Sequence, residues 1–139
     1  MTFQESARFN LSQSGSDIFW YTLATNQPGV GFVHIGPYHW RFIPSANHQL
    51  HCLQQMQVDF TSPNRTLDTH SHFAHCMQYL RQIFLCNADA TLEEGDFMEK
   101  DFDVDRIGTT RKCRNWPSLF EYVGDNFVEW ERFNGVFEK

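Results

Sequence analysis

His48-Gln-Leu-His51-Cys52 returns as His72-Phe-Ala-His75-Cys76, the same H-x-x-H-C pattern displaced by 24 residues. Nothing else in the chain limits its fold as tightly. On an α-helix, positions i, i+3 and i+4 share one face. His48, His51 and Cys52 therefore form one stripe, and His72, His75 and Cys76 a second. Two helices packed with those stripes facing would converge four imidazoles and two sulfurs, as helical proteins commonly do at metal centres. Imidazole and thiol are also the side chains that bind transition metals and carry redox chemistry.

The periodicity around the motifs supports two helices. The first is expected from about Ala46 to Asp59, with Leu50, Leu53 and Met56 on its apolar side. Ser62-Pro63-Asn64 breaks the chain, and Asp68 or Thr69 suits the start of a stronger helix to about Leu85. There Phe73, Met77, Leu80 and Phe84 give a continuous apolar stripe. Pro117 suits the first turn of a third helix over 118–132, faced by Leu119, Phe120, Val123, Phe127 and Trp130. Gly124 inside it costs about 1 kcal/mol relative to alanine.

Upstream, Ile18 to Leu23 reads as a short helix or strand, Gln27-Pro28-Gly29 as a turn, and Val30 to Ile35 as a short strand. Residues 1–16, rich in Ser, Gln and Asn, are expected to form a flexible arm ahead of a domain over 17–139. Residues 87–112 read as an irregular acidic segment. The expected class is mainly α with minor β, a compact single domain with the two motif helices packed face to face and stabilised by disulfides.

The charge balance narrows the partners. A net charge of −6 argues against a nucleic-acid surface, which needs clustered Lys and Arg. The acidic run Glu93-Glu94-Gly95-Asp96 and Asp101 to Asp105 lacks the glycine and terminal glutamate of a calcium loop. No stretch reaches the length of a membrane span, and residues 1–15 show no basic start followed by an apolar run. Neither a transmembrane helix nor a signal peptide is expected in these residues. Aromatic side chains at 16% predict an aromatic core or an apolar cleft.

An imidazole-rich donor set suits copper, zinc, iron or nickel and disfavours magnesium and calcium, which take oxygen ligands. If Cys52 and Cys76 ligate, a Cys2His2 zinc site follows. If they bond to each other, four histidines remain and copper is the better candidate. His34, His39 and His70 read as structural or surface residues, with His70 close enough to the second motif for an auxiliary role.

These residues resemble the UstYa-like family of fungal tailoring oxidases, whose hallmark is a pair of H-x-x-H-C motifs at about this separation. Pro28-Gly29-Val30-Gly31-Phe32-Val33 resembles the family's G-x-G-F-V approach. His75-Cys76 through Tyr79-Leu80-Arg81-Gln82, Cys86, Ala88-Asp89 and Thr91-Leu92-Glu93 follows its H-C-x-x-Y-L-R-Q-x-x-x-C-x-A-D-x-T-L-E pattern. Cys113-Arg114-Asn115-Trp116 is similar to C-R-D-[WFY], with Asn115 in place of aspartate. Asn87 stands where the family often has histidine.

The resemblance implies oxidative C–H chemistry on fungal secondary metabolites such as ribosomal cyclic peptides: macrocycle closure, hydroxylation, desaturation or halogenation. It implies copper held by His48, His51, His72 and His75, with zinc and iron as alternatives. It also implies a second disulfide, Cys86 with Cys113, beside one between Cys52 and Cys76. Most members carry an N-terminal membrane anchor facing a secretory lumen, and residues 1–139 contain none.

The leading expectation is therefore a copper-dependent oxidase acting on a small-molecule or peptide substrate. Asp89 is its candidate carboxylate for orienting a ligand imidazole through the ring's other nitrogen, with capping of a helix end as the alternative. The alternative is a non-catalytic binding module held together by zinc or disulfides. A third reading, non-haem iron, is weakened because neither motif holds a carboxylate. A homodimer is expected as the commonest assembly of such domains.

Overall fold

The two motif segments form consecutive helices that pack on each other, and a shorter upstream helix packs against the first. The computed structural model describes residues 1–11, 13–62, 67–92, 99, 101, 104 and 106–135. Its elements are β1 (Thr2–Gln4), α1 (Asp17–Thr25), β2 (Val33–Ile35), β3 (Trp40–Phe42), α2 (Ser45–Thr61), α3 (Leu67–Asn87), β4 (Ile107–Thr110) and α4 (Trp116–Phe133). Short 3-10 turns occupy Ala7–Phe9 and Pro28–Gly31. The mainly helical class with minor β follows the sequence reading, and both motif helices extend slightly beyond their expected ends.

α2 packs against α1 on one side and α3 on another. Between α2 and α3 lies a small buried cluster of Cys52, Cys76 and Leu80, flanked by Met56 and Tyr79. Small side chains at the centre let the two helix backbones approach. The expected apolar stripe of α3 is buried only in part. Leu80 is 6% exposed, but Met77 is 48% and Phe84 65% exposed. Burial instead follows the line through Cys76 and Leu80, because α3 turns its motif side toward α2.

A second packing centre joins α4 to the first half of the chain. Asn115 caps α4, its side-chain oxygen accepting from Ser118 N at 3.3 Å, with Pro117 in the first turn. Asparagine and aspartate serve equally well at such a cap, so the departure at this position keeps the local structure. Farther along α4, Asn126 clamps the peptide of His34. Its oxygen accepts from His34 N at 2.6 Å, and its amide donates to His34 O at 2.9 Å. This fixes β2 to α4, and Val123 is fully buried nearby.

Val30 to Ile35 is not strand throughout. The chain first makes a tight turn, with Gly29 at φ 61°, Val30 at φ 55° and Gly31 at φ 77°. Left-handed backbone at a β-branched residue is uncommon, and here the surroundings impose it. A Cβ on Gly29 would run into the Phe127 ring, and one on Gly31 into the Asn47 amide. Asn47, buried at the start of α2, donates to Gly31 O at 2.9 Å and to Gln27 Oε1 at 2.5 Å. The turn thus ties α4 to the residue just before His48.

β2 and β3 form an antiparallel hairpin pairing Val33 with Phe42, His34 with Arg41 and Ile35 with Trp40. β1 pairs antiparallel with β4, and the Thr2 and Thr110 hydroxyls bond at 2.7 Å. The segment expected as a flexible arm is therefore engaged. Besides that pairing, Phe9 meets Trp20 edge-on at 5.2 Å. The acidic residues Glu93 to Asp96 lie outside the described residues. Among the described residues, no helix is long and apolar enough to cross a membrane.

Two glycines separate conformational need from mere tolerance. Gly29→Ala is expected to destabilise the protein by at least about 1–2 kcal/mol, the cost of a left-handed non-glycine residue, before the Phe127 clash is added. Gly124→Ala is expected to stabilise it by about 1 kcal/mol, because a Cβ there meets only Pro28 Cγ at 3.7 Å. Denaturant titration of both variants checks the opposite signs.

Candidate functional site

The helix repeat sets the site. His48 and His51 lie one turn apart on α2, and His72 and His75 one turn apart on α3. Across the interface, ring centroids stand 5.7 Å apart for His48 and His75, and 5.5 Å for His51 and His72. Within each helix they stand 6.3 Å apart for His48 and His51, and 6.4 Å for His72 and His75. All four predicted imidazoles thus close into one four-membered cluster between the helices. His75 is exposed and the other three half-buried, so the cluster is open to solvent on one side.

Cys52 and Cys76 are both fully buried. Burial, a hydrogen bond with Cys76 and the charge of Cys76 push the Cys52 thiol up to about 12. A neutral Cys52 thiol thus lies at the helix interface, beside the buried Cys76 side chain. The expected cross-links are not formed in this structure, where all four cysteines are free thiols. Cys86 and Cys113 are exposed, and the Cys113 thiol lies 3.9 Å from Arg111 O. Packing of small side chains, rather than covalent bonding, brings α2 and α3 together here.

The electrostatics favour neutral rings. Burial first, then the nearby His75, His51 and His72, lower the His48 pKa from its ordinary value. Burial and then His72 lower that of His51. Desolvation penalises the charged imidazolium, and adjacent cations penalise it further. A neutral imidazole keeps a lone pair free to bind a metal.

Asp89 is engaged elsewhere. Its carboxylate accepts from Thr91 N at 2.9 Å and Thr91 Oγ1 at 2.6 Å, and pairs with Arg111. The two Thr91 bonds and then Arg111 hold it below the usual carboxylate range. These bonds form a local turn just past the end of α3. His34 stacks on Trp130 at 4.2 Å and His39 on Phe133 at 3.9 Å, both structural as expected. His70 is exposed on α3, and among the described residues no ring contact joins it to the four imidazoles.

One neighbour escaped the motif reading. The Tyr79 ring lies 4.1 Å from His48 and 6.4 Å from His75. Its position four residues after His75 was the available signal, since that spacing places it on the motif face.

The residues that could hold a metal are His48, His51, His72 and His75. A bound imidazole nitrogen stands about 2 Å from its ion, which places four ring centroids about 5 Å from one another. The observed spacings are slightly wider. Accordingly, among the described residues, no three His, Cys, Asp or Glu side chains are drawn tightly enough to hold an ion as they stand. By its chemistry, four imidazoles with no carboxylate among them, the donor set suits a transition metal that prefers nitrogen once the rings draw together.

The sequence model of the family described as mycotoxin biosynthesis protein UstYa matches residues 24–126. The UstYa family oxidase phomYb of Diaporthe leptostromiformis is 32% identical over 85 residues, covering 59% of this chain and 34% of that protein. The oxidase ustYa of Aspergillus flavus is 31% identical over 91 residues, covering 63% and 43%. The hydroxylase cctR of Talaromyces islandicus is 28% identical over 106 residues, covering 68% and 38%. The chain therefore spans well under half the length of these curated relatives. No solved structure matches it.

Lowered imidazole pKa values make stability depend on pH. Above the unfolded value of about 6.5, both states are neutral at these rings and no cost arises. As pH falls below it, the unfolded chain binds protons that folded His48 and His51 resist, so stability drops. The metal-free protein is expected to lose denaturant midpoint between about pH 7.5 and 5.5. The double variant His48→Gln, His51→Gln should show a flatter profile, with a remnant from His34, whose pKa is also lowered by burial, then by Arg41 and His39. An unchanged slope in the double variant would refute this origin.

Proposed function

This chain belongs to the UstYa family, and from that membership we propose that it is a copper-dependent tailoring oxidoreductase of fungal secondary metabolism. The single observation that carries the metal reading is the closure of His48, His51, His72 and His75 into one cluster across two helices. The relatives' names, oxidase and hydroxylase, support oxidative chemistry. The substrate class we assign is a small molecule or peptide presenting a C–H bond. Macrocycle closure, hydroxylation, desaturation and halogenation are the reaction types it covers.

Bound copper would supply one-electron redox chemistry toward dioxygen or a peroxide-level oxidant. The chain's own residues do the rest. Helical spacing presents two imidazoles from each side, and partial burial keeps His48 and His51 neutral at physiological pH. The cluster contains no carboxylate, which suits copper or zinc over a two-histidine, one-carboxylate iron site. Asp89 keeps to that pattern, because Arg111 and Thr91 occupy it. The solvent-open side at His75 is where a substrate could approach.

A homodimer belongs to the same proposal. α3 leaves Met77, Phe84 and Leu85 exposed, and the hairpin leaves Ile35, Trp40 and Phe42 exposed. Association with a second copy would remove this apolar surface from water. Light scattering is expected to give twice the 16.4 kDa chain mass, and a monomer mass at micromolar concentration would remove the dimer from the reading.

The metal assignment is tested by loading with Cu(II), followed by metal analysis and electron paramagnetic resonance. About one copper per imidazole cluster is expected, lost in the double variant His51→Ala, His75→Ala. Retention of copper by that variant rejects the ligand set. Redox silence of the loaded protein toward ascorbate and dioxygen would leave the cluster a non-catalytic one.

A further inference from the structure

The four imidazoles lack a feature that metal-binding histidines usually have. A ligating histidine generally donates its second ring nitrogen to a carboxylate or carbonyl, which fixes ring rotation. Among the described residues, no hydrogen bond engages the ring nitrogens of His48, and its contacts are rings: His51, His75 and Tyr79. Two of those three are other cluster members. Tyr79 is the remaining one, and the closest, at 4.1 Å with 31° between planes.

We propose that Tyr79 is a positioning residue for His48, its ring fixing the rotation of the imidazole and so the direction of its nitrogen lone pair. The inference rests on the four-imidazole metal reading. Tyr79 is itself held from three directions. It sits on α3 one turn beyond His75. Its lower ring packs on the buried Cys52, Cys76 and Leu80 cluster. Its hydroxyl donates to Ser45 O at 3.5 Å, in the first turn of α2. A rigid aromatic wall therefore reaches back from α3 to the helix that carries His48. It also covers the His48 and His75 edge of the cluster, standing 6.4 Å from His75 at 18°.

A stack constrains ring rotation without consuming a nitrogen, so the ring rather than the hydroxyl carries the role. Tyr79→Phe should keep it, and Tyr79→Leu should lose it. In metal-free protein, nuclear magnetic resonance should show contacts between the Tyr79 and His48 ring protons. It should also show His48 ring protons displaced by the aromatic ring current, and that displacement should persist in Tyr79→Phe and vanish in Tyr79→Leu. Cu(II) affinity, measured against a competing chelator, should weaken about 2- to 10-fold in Tyr79→Leu, the equilibrium equivalent of one aromatic contact. The copper paramagnetic resonance spectrum should change with it, and Tyr79→Phe should match the parent protein in both.

Equal affinity and an identical spectrum in Tyr79→Leu would overturn the proposal, as would a Tyr79→Phe variant as impaired as Tyr79→Leu. If Tyr79→Leu fails to fold, the ring-proton contacts in the parent and the spectrum of Tyr79→Phe decide. A parent protein that binds no copper defeats the metal reading, while the metal-free ring measurements still decide whether Tyr79 orients His48.

Discussion

The contact between Cys52 and Cys76 sets the geometry on which the site depends. Both side chains are fully buried and small, so α2 and α3 approach closely along the line that carries the motifs. Replacing either by a bulky residue would push the helices apart, and the imidazoles with them. The same burial, with Cys76 beside it, raises the Cys52 thiol to about 12, so this side chain is neutral and costs little to hide. The thiols thus act here as spacers, and the cross-helix ring distances of 5.5 and 5.7 Å follow from their size.

That helix pair is not self-sufficient. Among the described residues, Leu80, with Met56 and Tyr79 beside it, adds apolar packing to the cysteine contact. The first turn of α2 is held from outside, through Asn47 bonding to Gln27 and Gly31. The turn over Pro28–Gly31 in turn lies against Phe127 and Gly124 of α4, while Asn126 clamps β2. One chain of contacts therefore runs from α4, through a left-handed turn, to the residue preceding His48. That turn holds Val30 in left-handed backbone at φ 55°, uncommon for a β-branched residue.

A donor set of imidazoles alone narrows the chemistry without any knowledge of substrate. In the proposed reading, nitrogen ligands without carboxylates point toward copper or zinc, and the relatives named oxidase and hydroxylase are the reason for proposing the redox-active metal. Partial burial adds a second constraint. His48 and His51 are shielded enough to favour their neutral form, while His75 is exposed, which leaves one side of the cluster open to solvent.

The sequence by itself determined the helical class, the two motif helices to within a few residues, the four histidines and the family. Periodicity and i, i+3 spacing are local properties, and they survive folding unchanged. It misjudged which side of α3 is buried, because Met77 and Phe84 satisfy a helical period whether or not anything covers them. It placed Tyr79 in the family pattern without a role and gave Asp89 two, since both depend on what lies opposite. Only the tertiary structure decided that His48 meets His75 and His51 meets His72, the crosswise match that successive antiparallel helices impose. Pairing across an interface depends on how two helices turn toward each other, and the packing of Cys52 against Cys76 and Leu80, side chains brought together only by the fold, settles that.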